Sequence, residues 1–373
     1  MKKILFITGT RADYGKMVSL IKSVDKHIEF ESYVYITGMH MLKKYGFTAD
    51  EIIEEKHQNI YLNINQYIGE RQEMILSNTI RNLSQYIHEI LPDLVIIHGD
   101  RVEALAGAIT GILSNVLVAH IEGGESSGSV DESIRYSISK LSHIHLVSNE
   151  KSAKKLEQMG EKIENIYVTG SPDFDAIFSK NLPEIKEVKK KYDIPFDEYG
   201  IFIFHSVTTE LSKFEKYCFE VVSGLVKSNK KFILIYPNND PGSEIIIRNL
   251  NNLMDKTKIN DSYRIFGSVT FIDFLVMLKN SKCIVGNSSA GVRQAPVFGI
   301  PTVNIGTRQN NRNSWESIHN VGYDSEEIKN KIDEMWQRTS LYPICLTFGD
   351  GKASERFIQA IEQERFWETS IQK

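Results

Sequence analysis

Three cysteines are few for 373 residues, and Cys218, Cys283 and Cys345 lie far apart. They are odd in number and form neither a Cys-x-x-Cys pair nor a His/Cys ligand pattern. A disulfide framework and a structural zinc are therefore both disfavoured, and a reducing cytoplasm is the expected setting. No stretch approaches the ~18 apolar residues of a spanning helix, which argues against a membrane protein. No basic block is long enough to hold nucleic acid or an anionic membrane, since the formal net charge of −4 comes from interspersed acids and bases. Internal repeats and low-complexity tracts are also missing. The opening MKKILFITGTRAD has a basic start and an apolar stretch, but residues 4–7 are too short for a signal-peptide core and turn polar at once. They are expected to form a first strand.

What is present is ordinary globular material, 41% apolar and 25% charged, long enough for roughly two domains. Short apolar runs alternate with longer stretches of helical periodicity, the pattern of α/β units on parallel sheets. In the first half, strands are expected at 3–8, 32–37, 93–99, 117–122, 144–148 and 165–169, with helices such as 71–90 and 131–141 between them. The charged segment 182–198 reads as a linker. A second series follows, with strands at 200–205, 231–237, 263–266, 283–286 and 302–305. The stretch 352–372 reads as one helix of mixed charge. The expected fold class is α/β, with two Rossmann-like doubly wound domains, 1–180 and 181–350, facing a cleft, and a C-terminal helix, 351–373, crossing back onto the first.

Open α/β sheets bind ligands beyond the carboxyl ends of their strands. Those ends carry TGTRAD (8–13), HGDR (98–101), HIEGGE (120–125) and TGSPDFD (169–175) in the first half, and FHSVTTE (204–210), YPNND (236–240), GNSSAGVRQ (286–294) and NIGTRQNNR (304–312) in the second. Nearly every one combines glycine with a charged or hydrogen-bonding side chain. The turn from Gly286 to Gly291 runs from a strand into a helix, where free N–H groups favour a phosphate and Ser288 and Ser289 add hydroxyls. An ordinary N-cap serine explains that stretch equally well when it stands alone, and no Walker Gly-Lys-Ser/Thr follows. Arg11, Arg101, Arg308 and Arg312 each follow a strand. Any single one is best read as a surface residue, but together with the turn they suit a nucleotide diphosphate.

The carboxylates say more. Asp100, Glu122 and Asp131 all fall at a strand end or helix start in the first domain. Asp131 alone would be a helix N-cap, whereas Glu122 sits among too many glycines to be a simple solvated acid. Three acids beside an anionic ligand would have perturbed pKa values, and acid/base chemistry is one use for that. His205, straight after a strand of the second domain, could hold a phosphate oxygen or move a proton, or be a satisfied strand-end histidine.

In this order and spacing, TGTRADYG, HGDR, HIEGGExSGxxDESIR, TGSPDFD, GNSSxGVR and NIGTRQxxR resemble the hydrolysing UDP-N-acetylglucosamine 2-epimerases of sialic-acid and legionaminic-acid synthesis. The resemblance implies a GT-B-like fold with UDP held mainly by the second domain, and conversion of UDP-N-acetylglucosamine and water to N-acetylmannosamine and UDP. It gives Asp100, Glu122 and Asp131 as catalytic acids and His205 as a substrate and catalytic contact. Arg11, Ala12, Arg101, Asn238, Ser288, Ser289 and Arg308 match nucleotide-sugar contacts. Gln294 stands where many relatives carry a ribose-binding glutamate, so its hold should be weaker or arranged differently. Related non-hydrolysing enzymes carry different acidic motifs. A homo-oligomer, dimer or tetramer, is expected from the same resemblance. A vertebrate relative has a kinase domain after this region, which the sequence to residue 373 is not expected to supply.

Since C2 of the sugar is not next to a carbonyl, departure of UDP from C1 must lead. The expected course is anti elimination to 2-acetamidoglucal, then addition of water at C1 and of a proton at C2 from the opposite face, with arginines steadying the leaving diphosphate. No cofactor or metal is needed for this. The same reaction on a UDP-2,4-diacetamido-2,4,6-trideoxyglucose, with residues 38–40 and 205–209 near C4 and C6, is the main alternative. A GT-B glycosyltransferase and a non-enzymatic UDP-sugar-binding module are more remote ones.

Overall fold

The computed structural model describes residues 1–127, 130–256 and 262–372, which form two compact units. The first comprises Met1–Glu125, Asp131–Ser179 and Thr347–Lys373, and the second is built on Lys180–Leu346. Both are doubly wound α/β units with parallel sheets. No helix among the described residues is long and apolar enough to cross a membrane.

In the first unit the chain runs through β1 (Lys2–Thr8), α1 (Arg11–Asp25), β2 (Phe30–Ile36), α2 (Ala49–Glu54), β3 (Asn59–Leu62), α3 (Gln72–Ile90) and β4 (Leu94–His98). It continues through α4 (Val102–Leu113), β5 (Leu117–Ile121), α5 (Val130–Leu141), β6 (Ile144–Val147), α6 (Glu150–Gln158), β7 (Ile166–Val168) and α7 (Asp173–Ile177). Strand order is β3-β2-β1-β4-β5-β6-β7. Strands covered by helices on both faces need apolar residues on both, so β4 reads Leu94-Val95-Ile96-Ile97 without alternation, and all four are fully buried. One face packs Leu20, Ile21 and Val24 of α1 together with Phe357, Ile361 and Phe366 from the C-terminal segment. The other packs α3 and α4, whose Leu83, Ile87, Ala104 and Ala108 lie on Leu5, Val95 and Val118. Helix α4 sits close because Gly107 faces the sheet: a Cβ there would lie 2.6 Å from Ile97 Cγ2.

The second unit contains α8 (Ile185–Lys191), β8 (Gly200–Ile203), α9 (Leu211–Lys227), β9 (Phe232–Ile235), α10 (Ser243–Lys256), β10 (Tyr263–Phe266) and α11 (Phe271–Lys279). It ends with β11 (Ile284–Gly286), α12 (Ser289–Arg293), β12 (Thr302–Ile305), β13 (Ile318–Val321) and α13 (Ser325–Trp336), in strand order β10-β9-β8-β11-β12-β13. Helices α14 (Ala353–Ile361) and α15 (Glu364–Trp367) belong to the first unit.

Several sequence expectations need correction. The segment read as a linker carries α8, whose Val188 is buried. The final segment is two helices, because Gln363 is extended and caps the second. The strand expected at 165–169 covers only Ile166–Val168, since Asn165 ends a 3₁₀ turn. The sequence pattern does not reveal β3 and β13, which are four-residue edge strands, partly exposed and too short to stand out.

Candidate active site

In each sheet the strand order reverses between two neighbours, and the crevice above that switch point is where doubly wound sheets take ligands. In the first unit the switch lies between β1 and β4. The loop after β1 is fixed from within: Thr10 caps α1 in a reciprocal box with Asp13, and the Asp13 carboxylate also takes the Gly9 N–H at 3.0 Å and the Thr8 hydroxyl at 2.7 Å. Arg11 and Ala12 therefore open the helix at the switch. Arg11 grips Glu51 of α2 with both arms of its guanidinium, Nε to Oε2 at 2.9 Å. Across the switch, Arg101 leads into α4, and its Nε donates to the buried Glu103 at 3.2 Å.

Asp100, the residue before it, accepts from Nη2 of Arg135 on α5. Arg135 is 1% exposed, and its Nη1 donates to the Glu125 carbonyl at 2.9 Å. Burial pulls the guanidinium pKa down, but Asp100, Glu125, Glu122 and Asp131 outweigh that and hold it above its usual value. Asp131 is the second residue of α5, not its cap. One buried cation thus bonds Asp100 directly and is held charged in part by the fields of Glu122 and Asp131.

Glu122 follows β5 with φ 64°, a left-handed backbone that non-glycine residues adopt at a cost and that concentrates at functional sites. Its carboxylate is 2% exposed. It accepts from Lys16 Nζ at 3.2 Å and from the Ser171 hydroxyl at 2.6 Å, and His98 Nε2 lies 3.3 Å away. Arg135, Lys16, His98 and Ser171 were not singled out as site residues. Arg135 was findable, because it lies four residues after Asp131 and so on the same helix face. Lys16 carried no such signal.

In the second unit the switch lies between β8 and β11. Gly286 has φ 129°, and a Cβ there would come within 1.9 Å of the Ile203 carbonyl oxygen, so only glycine fits. That closeness lets Asn287 clasp the next strand: its Oδ1 accepts from the His205 N–H at 2.7 Å and its Nδ2 donates to the His205 carbonyl at 2.9 Å. The Asn238 N–H donates to His205 Nδ1 at 3.2 Å. In the neutral ring the proton is thereby placed on Nε2, which makes that atom a donor. Ser288 caps α12, accepting from the Ala290 N–H at 3.3 Å, and Ser289 opens the helix; both are partly exposed. Arg308 Nη1 lies 3.4 Å from the Asn287 carbonyl, which Gln309 also binds at 2.9 Å. His205, Asn238, Ser288, Ser289 and Arg308 are thus gathered around Asn287. Gln294 follows α12 as its C-cap and is buried, its N–H donating to the Ala290 carbonyl.

Residues 38–40, expected near C4 and C6 of the sugar, include His40. It is fully buried, bonded to Thr8 Oγ1 at 3.0 Å and Thr48 Oγ1 at 2.6 Å. Burial lowers its pKa to about 4.

Residues 22–362 match the family described as UDP-N-acetylglucosamine 2-epimerase. The chain belongs to that family. It is 47% identical to the UDP-N-acetylglucosamine 2-epimerase of Neisseria meningitidis serogroup B, over 100% of this chain and 98% of that one. It is 31% identical to the UDP-N,N'-diacetylbacillosamine 2-epimerase (hydrolyzing) of Legionella pneumophila, over 97% and 96%. Among solved structures, the Methanocaldococcus jannaschii UDP-GlcNAc 2-epimerase in complex with UDP-GlcNAc and UDP matches with TM-score 0.80 at 20% identity, covering 96% of this chain and 99% of that one. At that identity it speaks for the fold alone. Membership makes both switch points, with arginines and hydroxyls on one hand and acids on the other, the places where a family member's chemistry is to be sought.

Proposed function

We propose that the chain is a hydrolysing UDP-N-acetylglucosamine 2-epimerase that converts its substrate and water to N-acetylmannosamine and UDP. The observation that carries this reading is the placement of three acids in the first unit, with Asp100 bonded to the buried Arg135, Glu122 bonded to Lys16 and Ser171, and Asp131 in the first turn of the helix that carries Arg135. Inverting C2 needs one group to take a proton and another to return one, and water needs a third to activate it. A module that only binds UDP-sugar has no use for three such acids, and a glycosyltransferase needs an acceptor instead of water.

UDP would be held by the second unit, with its phosphates on Ser288, Ser289 and Arg308 and His205 Nε2 donating to an oxygen. As the bond from C1 to UDP breaks, negative charge grows on the diphosphate, and fixed donors aimed at it lower the barrier. The carboxylates of the first unit would move the protons at C2 and at water, by elimination to 2-acetamidoglucal and rehydration. Release of free sugar is supported by the Legionella relative, which is named as hydrolyzing.

That same relative favours a second reading, with the same chemistry on a sugar bearing an acetamido group at C4. Phosphorus NMR of a reaction with UDP-N-acetylglucosamine tests the first. Free UDP appearing in step with free sugar is the expected outcome, whereas a mixture of two intact UDP-sugars would point to a non-hydrolysing enzyme. Turnover of the diacetamido donor at a hundredfold higher kcat/KM would decide for the second.

A further inference from the structure

The two loops that carry His205 and Arg308 in the second unit are fastened to each other twice. One fastening is Asn287, whose side chain clasps the His205 backbone while its carbonyl accepts from Arg308 Nη1 and Gln309 Nε2. The other is Glu210, the last residue before α9. Its Oε1 accepts from the Thr307 hydroxyl at 2.6 Å, and its Oε2 accepts from the Tyr323 hydroxyl at 2.6 Å. The chain from His205 to Glu210, the bond to Thr307, the step to Arg308 and the return through Asn287 close a ring.

Each part of the second fastening is held from behind. Tyr323 follows β13, and its ring stacks on Tyr217 of α9 with centroids 4.0 Å apart and 7° between the planes. Gly306, at φ 73°, lies so close to that ring that a Cβ would strike the Tyr323 hydroxyl, so the backbone leading to Arg308 passes over a fixed aromatic wall. Glu210 stands at the N-cap position of α9, yet its side chain makes no cap bond there. The carboxylate is turned instead to the Arg308 loop, where both of its oxygens take the stronger kind of hydrogen bond, one with a charged acceptor. A loop ordered before the ligand arrives loses less freedom on binding.

We infer that Glu210 is a positioning residue for the diphosphate, a hydrogen-bonding strut that fixes the loop presenting Arg308 through Thr307; this rests on the reading of Arg308 as a phosphate contact. Glu210 acts through that loop and does not touch the ligand. Its hydrogen bonds do the holding, because a carboxylate's charge by itself can only repel a diphosphate.

Binding of UDP by calorimetry and of uridine by NMR titration tests this, since uridine lacks the phosphates. Glu210→Ala and Thr307→Val should each weaken UDP about tenfold and leave uridine unchanged. Glu210→Gln should stay within about threefold of the parent, because its carbonyl still accepts from Thr307 and its amide can donate to the Tyr323 oxygen. The double variant E210A/R308A should bind UDP no more weakly than R308A. If R308A binds UDP weakly while E210A and T307V bind it as the parent does, the strut is refuted and the reading of Arg308 stands. Equal loss for uridine and UDP in E210A and T307V, or a loss in E210Q as large as in E210A, also refutes the strut. If R308A itself binds UDP like the parent, the phosphate reading of Arg308 fails and the strut falls with it. Should E210A not fold, T307V decides on the same criteria.

Discussion

Arg135 keeps a full charge with 1% of its surface exposed, and a buried cation survives only where anions and acceptors surround it. Its fork reaches the Asp100 carboxylate with one arm and the Glu125 carbonyl with the other. Lysine cannot span both, so Arg135→Lys should lower kcat by about 100-fold while leaving the inhibition constant of UDP unchanged, as measured by initial rates. Asp100 and Glu122 stand out in the sequence as acids beside glycines at strand ends, and Asp131 as an acid in the first turn of a helix. Lys16 and Ser171 do not, because a lysine and a serine gain meaning only from the carboxylate they meet across the fold. The cysteines show the opposite case. Their isolation argued against disulfides, and burial raises Cys218 and Cys283 to about 12, which keeps them as inert thiols.

At the scale of elements, the second switch point depends on how closely β11 passes β8. Gly286→Ala would push a methyl into the Ile203 carbonyl and force a backbone that alanine avoids, a cost of about 3 kcal/mol or more. Asn287 would lose its clasp on His205 at the same time. The variant should unfold at markedly lower urea concentration, and any folded fraction should bind UDP weakly by calorimetry. The buried central strands could be read directly, since β1, β4 and β8 each hold an unbroken apolar run. The edge strands β3 and β13 could not: both lie half in water and look like loops, and α8 hid in a charged stretch where a single buried side chain, Val188, marks the inner face.

For the molecule as a whole, the C-terminal segment completes the first unit's core. Phe357, Ile361 and Phe366 are buried against α1 and β2, and Asp175 ties down the start of α14 through Ala353 and Ser354. Burying three such side chains is worth more than about 5 kcal/mol, comparable to the whole stability of a domain. Truncation before Thr347 should therefore give insoluble protein, checked by the soluble yield. The same unit buries His40 and His120, whose pKa values burial lowers to about 4 and about 3. Between pH 6.5 and 3 the unfolded chain binds more protons at these sites than the folded one. Their contribution is therefore complete above about pH 6.5 and is lost as the pH falls toward 3. Urea midpoints should drop on acidification across that window, and His120→Asn should flatten the slope. If the slope is unchanged, His120 is not among its sources.

The most direct measurement is proton NMR of the sugar released from UDP-N-acetylglucosamine in D2O. Elimination followed by hydration predicts free N-acetylmannosamine carrying deuterium at C2. Hydrogen retained at C2, or a product still attached to UDP, would contradict it.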